Sequence, residues 1–106
     1  MNFNDYQDFF VKHQANYQIK ESDRLAVCAL GLAGETGEAI EHIKKYIRDG
    51  KLNKDALSKE LGDILAYLAT LAGFFDLPLD DIAAESIAKN QKRIDDGTLH
   101  GSGSDR

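Results

Sequence analysis

The sequence predicts an all-α protein with four helices in one domain. Apolar residues recur at spacings of three and four along most of the chain, the period of an amphipathic helix. No stretch alternates apolar and polar residues between turn signals, as a half-buried strand does. Proline, which interrupts helices, occurs once, at Pro78. The 106 residues leave room for one domain. Residues 1–96 are read as that domain, and the Gly/Ser-rich stretch 97–106 as a flexible tail.

The first helix is expected over about residues 3–15, with Asn2 or Asn4 as its cap. Phe3, Tyr6, Phe10 and His13 form one face of it. The second runs from near Asp23 to Arg48, with Ser22 or Asp23 as the cap. Gly50 sits just past its end, where a left-handed residue closes a helix. Leu25, Ala29, Leu32, Thr36, Ile40, Ile43 and Ile47 are read as its core stripe. The third starts after Asn53 and ends near Phe75, with Leu57, Leu61, Ile64, Leu65, Leu68, Leu71, Ala72 and Phe75 as its stripe. The fourth begins near Leu79, after Pro78, and runs to about Ile94; Gly97 stops it. The short connection between the second and third helices makes them antiparallel neighbours. A domain this small buries a modest core, so completion by partner copies, as a homodimer or homotetramer, is expected.

Composition narrows the function. The formal charge of −5 opposes a broad electrostatic grip on a nucleic acid polymer. Cys28 is the only cysteine, which excludes an intrachain disulfide and favours a reducing cytoplasm. No apolar run is long enough to span a membrane, and MNFNDYQDFF lacks the basic and apolar regions of a secretory signal.

Two acidic pairs stand out. Glu35 and Glu38 are three apart on the second helix, and Glu60 and Asp63 are three apart on the third. Residues at that spacing share a helix face. With the two apolar stripes facing each other, both pairs lie at the same height and on the same side of the hairpin. All four carboxylates are therefore expected to converge. Four like charges in one patch repel and raise each other's pKa. A divalent cation removes that penalty, and carboxylate oxygens without a Cys/His cluster suit Mg²⁺ or Mn²⁺. A single E-x-x-E is usually a solvated helix surface, so the weight rests on the two motifs together.

GLAGETGEAIEHIKK, followed by KELGDILAYLATLA, strongly resembles the MazG-like all-α nucleoside triphosphate pyrophosphohydrolases. That superfamily carries an ExxE motif, a variable spacer and an ExxD motif. Here they read Glu35-Thr36-Gly37-Glu38 and Glu60-Leu61-Gly62-Asp63, with residues 39–59 as spacer. The ending SIAKNQKRIDDGTLHGSGSDR resembles that of short, stand-alone members. The resemblance implies a four-helix MazG-like bundle that dimerises or forms a dimer of dimers. It implies Mg²⁺-dependent hydrolysis of (deoxy)nucleoside triphosphates to monophosphate and pyrophosphate. Glu35, Glu38, Glu60 and Asp63 are then the metal ligands, with Glu35 and Glu38 also in catalytic roles. One departure matters: many relatives carry a further Glu directly before the first motif, where this chain has Gly34. Two readings of the base then stay open: one of the four carboxylates, Glu35 first, or activation of the water by the metal alone; Glu41 is a weaker candidate, its plainer reading being surface solvation.

Asn90 lies on the apolar face of the fourth helix, with Lys89 and Arg93 four apart on one edge. With Lys45 near the Glu38 edge, they are candidate substrate contacts, Arg93 offering a bidentate fork for pyrophosphate. The plainer readings are a structural hydrogen bond for Asn90 and solvation for the cations. Tyr6, Gln7, Phe10 and Tyr17 suit either a base pocket or core packing. Arg106 in the tail is an anion contact if the tail takes part. Two other functions fit the sequence: a non-catalytic helical dimerisation or interaction module, and a related pyrophosphatase such as phosphoribosyl-ATP pyrophosphohydrolase.

Overall fold

The computed structural model describes residues 1–97, so most of the predicted tail, Arg106 included, lies outside the described residues. Four helices make up the fold: α1 (Phe3–Lys12), α2 (Arg24–Asp49), α3 (Lys54–Phe74) and α4 (Leu79–Asp96). No strand occurs among the described residues. No single helix among them is long and apolar enough to cross a membrane.

Local chemistry sets the boundaries. The Asn2 side chain accepts from the Asp5 amide at 2.8 Å, capping α1. That helix stops before residue 15, because the chain tightens into a 3₁₀ turn at Gln14–Asn16. A second 3₁₀ turn, Glu21–Asp23, leads into α2. Asp23 occupies the expected cap position but makes no side-chain cap bond. Gly50 closes α2 at φ 74°, donating its amide to Tyr46 O at 2.8 Å. Asn53 caps α3 by accepting from the Ala56 amide at 3.0 Å.

α2 and α3 form the antiparallel hairpin, α1 lies on α3, and α4 packs on α1. Between α3 and α4 the chain turns by 104°. Gln7 pins this corner. Its Nε2 donates to Ala69 O at 3.1 Å and Leu77 O at 2.9 Å, and its Oε1 accepts from the Leu79 amide at 3.0 Å.

The hairpin is rotated from the predicted orientation. The protected line of α2 is Arg24, Cys28, Gly31, Glu35, Ala39 and His42, joined from the predicted stripe by Leu32. The expected core stripe, one residue or about 100° away, is largely open: Ile40 is 60% exposed and Ile47 77%. Size explains the choice. The small residues Cys28 and Gly31 admit Tyr67 of α3, and Cys28 Sγ donates to Tyr67 O at 3.4 Å. Isoleucines there would hold the helices apart. On α3, Leu57, Ile64, Leu65, Leu71 and Ala72 are at least partly buried as predicted, whereas Leu61, Leu68 and Phe75 are exposed. The radius of gyration, 16.5 Å, exceeds the roughly 13 Å of a compact chain this long.

Candidate metal centre

The close approach at Gly31 and Tyr67 sets the register of the acidic motifs. Four residues on from Gly31, and four back from Tyr67, stand Glu35 and Asp63. Glu60 follows one turn nearer the hairpin turn. Ligand oxygens of Glu35, Glu60 and Asp63 all lie within 4.8 Å of one another. Glu35 and Glu60 are partly buried, and Asp63 is exposed.

The fourth acid stands apart. Glu38 is exposed and outside this group, contrary to the expected convergence of all four. The rotation of α2 explains it. With Glu35 drawn into the contact face, a residue three further on turns out by about 60°.

Electrostatics mark the trio as short of positive charge. The Glu35 carboxyl is pushed up, first by its contact with the Glu60 side chain, then by burial and the charges of Glu60 and Asp63. Glu60 Oε2 is buried without a hydrogen-bond partner, which is costly for a carboxylate oxygen. Oxygens bound to one Mg²⁺ at about 2.1 Å stand roughly 3–4.2 Å apart, so small side-chain shifts fit this trio to a hard cation. The all-oxygen donor set suits Mg²⁺ or Mn²⁺.

A cleft of about 260 Å³ opens from the trio. Glu35 and Asp63 line it, together with Phe10, Tyr17, Tyr67, Phe74 and Arg24. Burial, then the Glu35 charge, pushes up the Tyr67 phenol. Phe10 and Tyr17 thus stand where a base pocket would need them. Tyr6 and Gln7 do not line it. Tyr6 packs on Phe10, 4.9 Å between ring centroids, and its hydroxyl donates to Gly62 O at 3.3 Å. Gln7 is spent on the backbone bonds described above.

The structure does not bring the other candidates to this cleft. Lys45 is exposed on α2, and Lys89 is exposed on α4. Asn90 donates its side-chain amide to Ser86 O at 2.9 Å, the plainer of its two readings. Arg93 is buried on α4. The turn before α4 carries all three α4 residues away from the hairpin. Glu41 pairs with Lys44 at 3.0 Å, and that contact holds its carboxyl low.

Arg24, Tyr67 and Phe74 are among the cleft residues that sequence reasoning missed. A signal existed for Arg24. It precedes Glu35 by eleven residues, which returns a helix to within about 20° of the same face.

Comparison with known proteins agrees with the acidic motifs and the helical fold. The MazG nucleotide pyrophosphohydrolase domain matches residues 25–98, well over half of the chain. The Gene 37 protein of Mycobacterium phage L5 is 38% identical over 87 residues, spanning 77% of this chain and 76% of its own. No solved structure matches. With α3, α4, all but the first residue of α2 and both acidic motifs inside the matched segment, the chain belongs to the MazG nucleotide pyrophosphohydrolase family.

Proposed function

We propose that this chain is a Mg²⁺-dependent pyrophosphohydrolase that converts (deoxy)nucleoside triphosphates to monophosphate and pyrophosphate. One observation carries the reading: of the trio Glu35, Glu60 and Asp63, Glu35 and Asp63 line a cleft walled by aromatic rings. Flat apolar walls suit a base, and the carboxylates suit the cation that a polyphosphate brings. Glu35, Glu60 and Asp63 are the proposed ligands, and Glu38, one turn from Glu35, is the fourth acid of the set. Mn²⁺ meets the same donors. When bound, the cation offsets phosphate charge and acidifies water.

The chain's own groups do the rest. Glu35 accepts the proton of the water that attacks the α-phosphorus. The bond from the α-phosphorus to the bridging oxygen breaks, and pyrophosphate leaves with that oxygen. Phe10, Tyr17 and Tyr67 hold the base and exclude water from it.

The protomer also calls for a partner. Leu25, Ile40 and Ile47 form an exposed apolar line on α2, of the kind that marks an interface. A second copy is the proposed occupant, giving a homodimer or homotetramer. Lys45, Lys89, Asn90 and Arg93 then contact leaving pyrophosphate only across such an interface. A cytoplasmic setting suits the nucleotide substrate and the free Cys28 thiol.

The test is direct. Purified protein incubated with each (d)NTP and Mg²⁺ should release monophosphate and pyrophosphate. Absence of monophosphate from every substrate, modified bases included, rejects the proposal. Asp63→Ala and Glu38→Ala should each abolish release while leaving the helical circular-dichroism signal intact. A purely structural module would show no Mg²⁺- or Mn²⁺-induced rise in melting temperature.

A further inference from the structure

Arg24 is the cation of the cleft, and the bonds of the described residues do not account for it. Its Nε is buried with no hydrogen-bond partner. Every ion pair among the described residues involves other cations: Lys44, Arg48 and Lys92. Arg24 is partly buried, and an N–H cut off from water without an acceptor costs free energy. A ligand in the cleft that supplies an acceptor would satisfy it.

Position limits what that ligand presents. Arg24 and Glu35 lie on one face of α2, eleven residues or about 16 Å apart along the axis. Both line the same cleft, and the wall between them is Val27, Cys28, Phe10 and Tyr67. A triphosphate is poorly matched to that stretch, because apart from Arg24 the lining offers rings and neutral polar groups such as Gln14 and Thr70 but no cation for its charge. A base fits it, stacking on the rings with its far edge toward Arg24. This inference rests on the nucleotide reading above and adds the choice of base.

We propose that Arg24 reads the distal edge of the base and selects a carbonyl-bearing one, guanine before adenine. The guanidinium carries only donors, in a rigid fork. Guanine presents two adjacent acceptors, O6 and N7, which match that fork. Adenine presents N7 beside the N6 amino group, so one arm of the fork meets a donor. The mismatch leaves both a buried N–H and the amino group unpaired. Uracil and thymine, with one carbonyl at that edge, rank between them.

The experiment compares hydrolysis of dGTP and dATP with Mg²⁺ by the wild-type protein, Arg24→Gln and Arg24→Lys. Calorimetric binding of dGMP and dAMP without metal runs in parallel. Wild type should favour dGTP by about tenfold or more in kcat/KM, the size of a bidentate pair. Arg24→Gln should remove most of that preference by raising KM for dGTP, with kcat within about threefold. Arg24→Lys keeps the charge but loses the fork, and should lose most of the preference too. Its fold, checked by circular dichroism, guards against collapse of the Gln variant. Preference for dATP in the wild type overturns the inference. So does an equal loss on dGTP and dATP in Arg24→Gln, which would make Arg24 a phosphate anchor. If neither nucleotide is hydrolysed, the enzymatic reading is judged by the full (d)NTP screen. Calorimetry still decides Arg24, because equal binding of dGMP and dAMP by wild type rejects the base-reading role.

Discussion

Tyr67 lies against Gly31 so closely that a methyl group at Gly31 would overlap its ring. This contact sets the spacing of α2 and α3, and with it the meeting of Glu35 and Asp63 one turn away. Gly31→Ala should therefore destabilise the fold. Overpacking costs about 1–3 kcal/mol, against a gain of roughly 0.5–1 kcal/mol for alanine over glycine in a helix. Urea unfolding measures the difference. A variant as stable as wild type would show that Tyr67 moves aside freely. Gly34→Ala is the control: a methyl group there meets nothing within 4 Å in the protomer, so it should hold or raise stability.

The same register creates repulsion that a cation relieves. Glu35→Gln removes one charge from the trio, so it should raise the metal-free melting temperature at neutral pH. It should also abolish the Mg²⁺-induced rise and the hydrolysis of nucleotide. A variant that melts like wild type without metal, yet still responds to Mg²⁺, would remove Glu35 from the proposed ligand set.

pH dependence follows from the direction of the Glu35 shift. Its folded pKa lies above the unfolded value, so between the two the native state binds more protons and loses stability as pH rises. Lowering pH through the raised pKa restores that stability without metal. Mg²⁺ restores it at neutral pH by another route. The Mg²⁺-induced shift in melting temperature should therefore be larger at pH 7.5 than at pH 5. Equal shifts at both would contradict a charge-repulsion origin.

Gln7 binds three backbone groups where α1 meets the end of α3 and the start of α4. Gln7→Ala leaves the Leu77 carbonyl and the Leu79 amide without that partner in a protected corner, and takes a second bond from the Ala69 carbonyl. The expected loss is about 2–4 kcal/mol, read by thermal or urea unfolding. A loss below about 1 kcal/mol would mean that water replaces the side chain there.

Ile40 and Ile47, seven apart on α2 and both exposed, should sit inside the proposed interface between copies. Ile40→Asp combined with Ile47→Asp should convert an oligomer to monomer in sedimentation, with helix content kept. A monomeric wild type would reject that assignment.

Much of this protein is legible without coordinates. Helical periodicity, Asn53, Gly50 and Pro78 locate the helices, because caps and breakers act within a few residues. The motifs Glu35-Glu38 and Glu60-Asp63 carry the resemblance to the family, and their i, i+3 spacing needs only a helix to place two acids on one face. Tertiary structure decided which face of α2 meets α3. Periodicity ranks faces by hydrophobicity and assumes that the most apolar one is the contact. Here Cys28 and Gly31 make a contact that bulkier residues cannot, so the isoleucine line turns outward and Glu35 turns in. That rotation separates Glu38 from the trio and brings Arg24 into the aromatic cleft. Each depends on how closely two helices approach, which side-chain volumes set across the interface and no local pattern encodes.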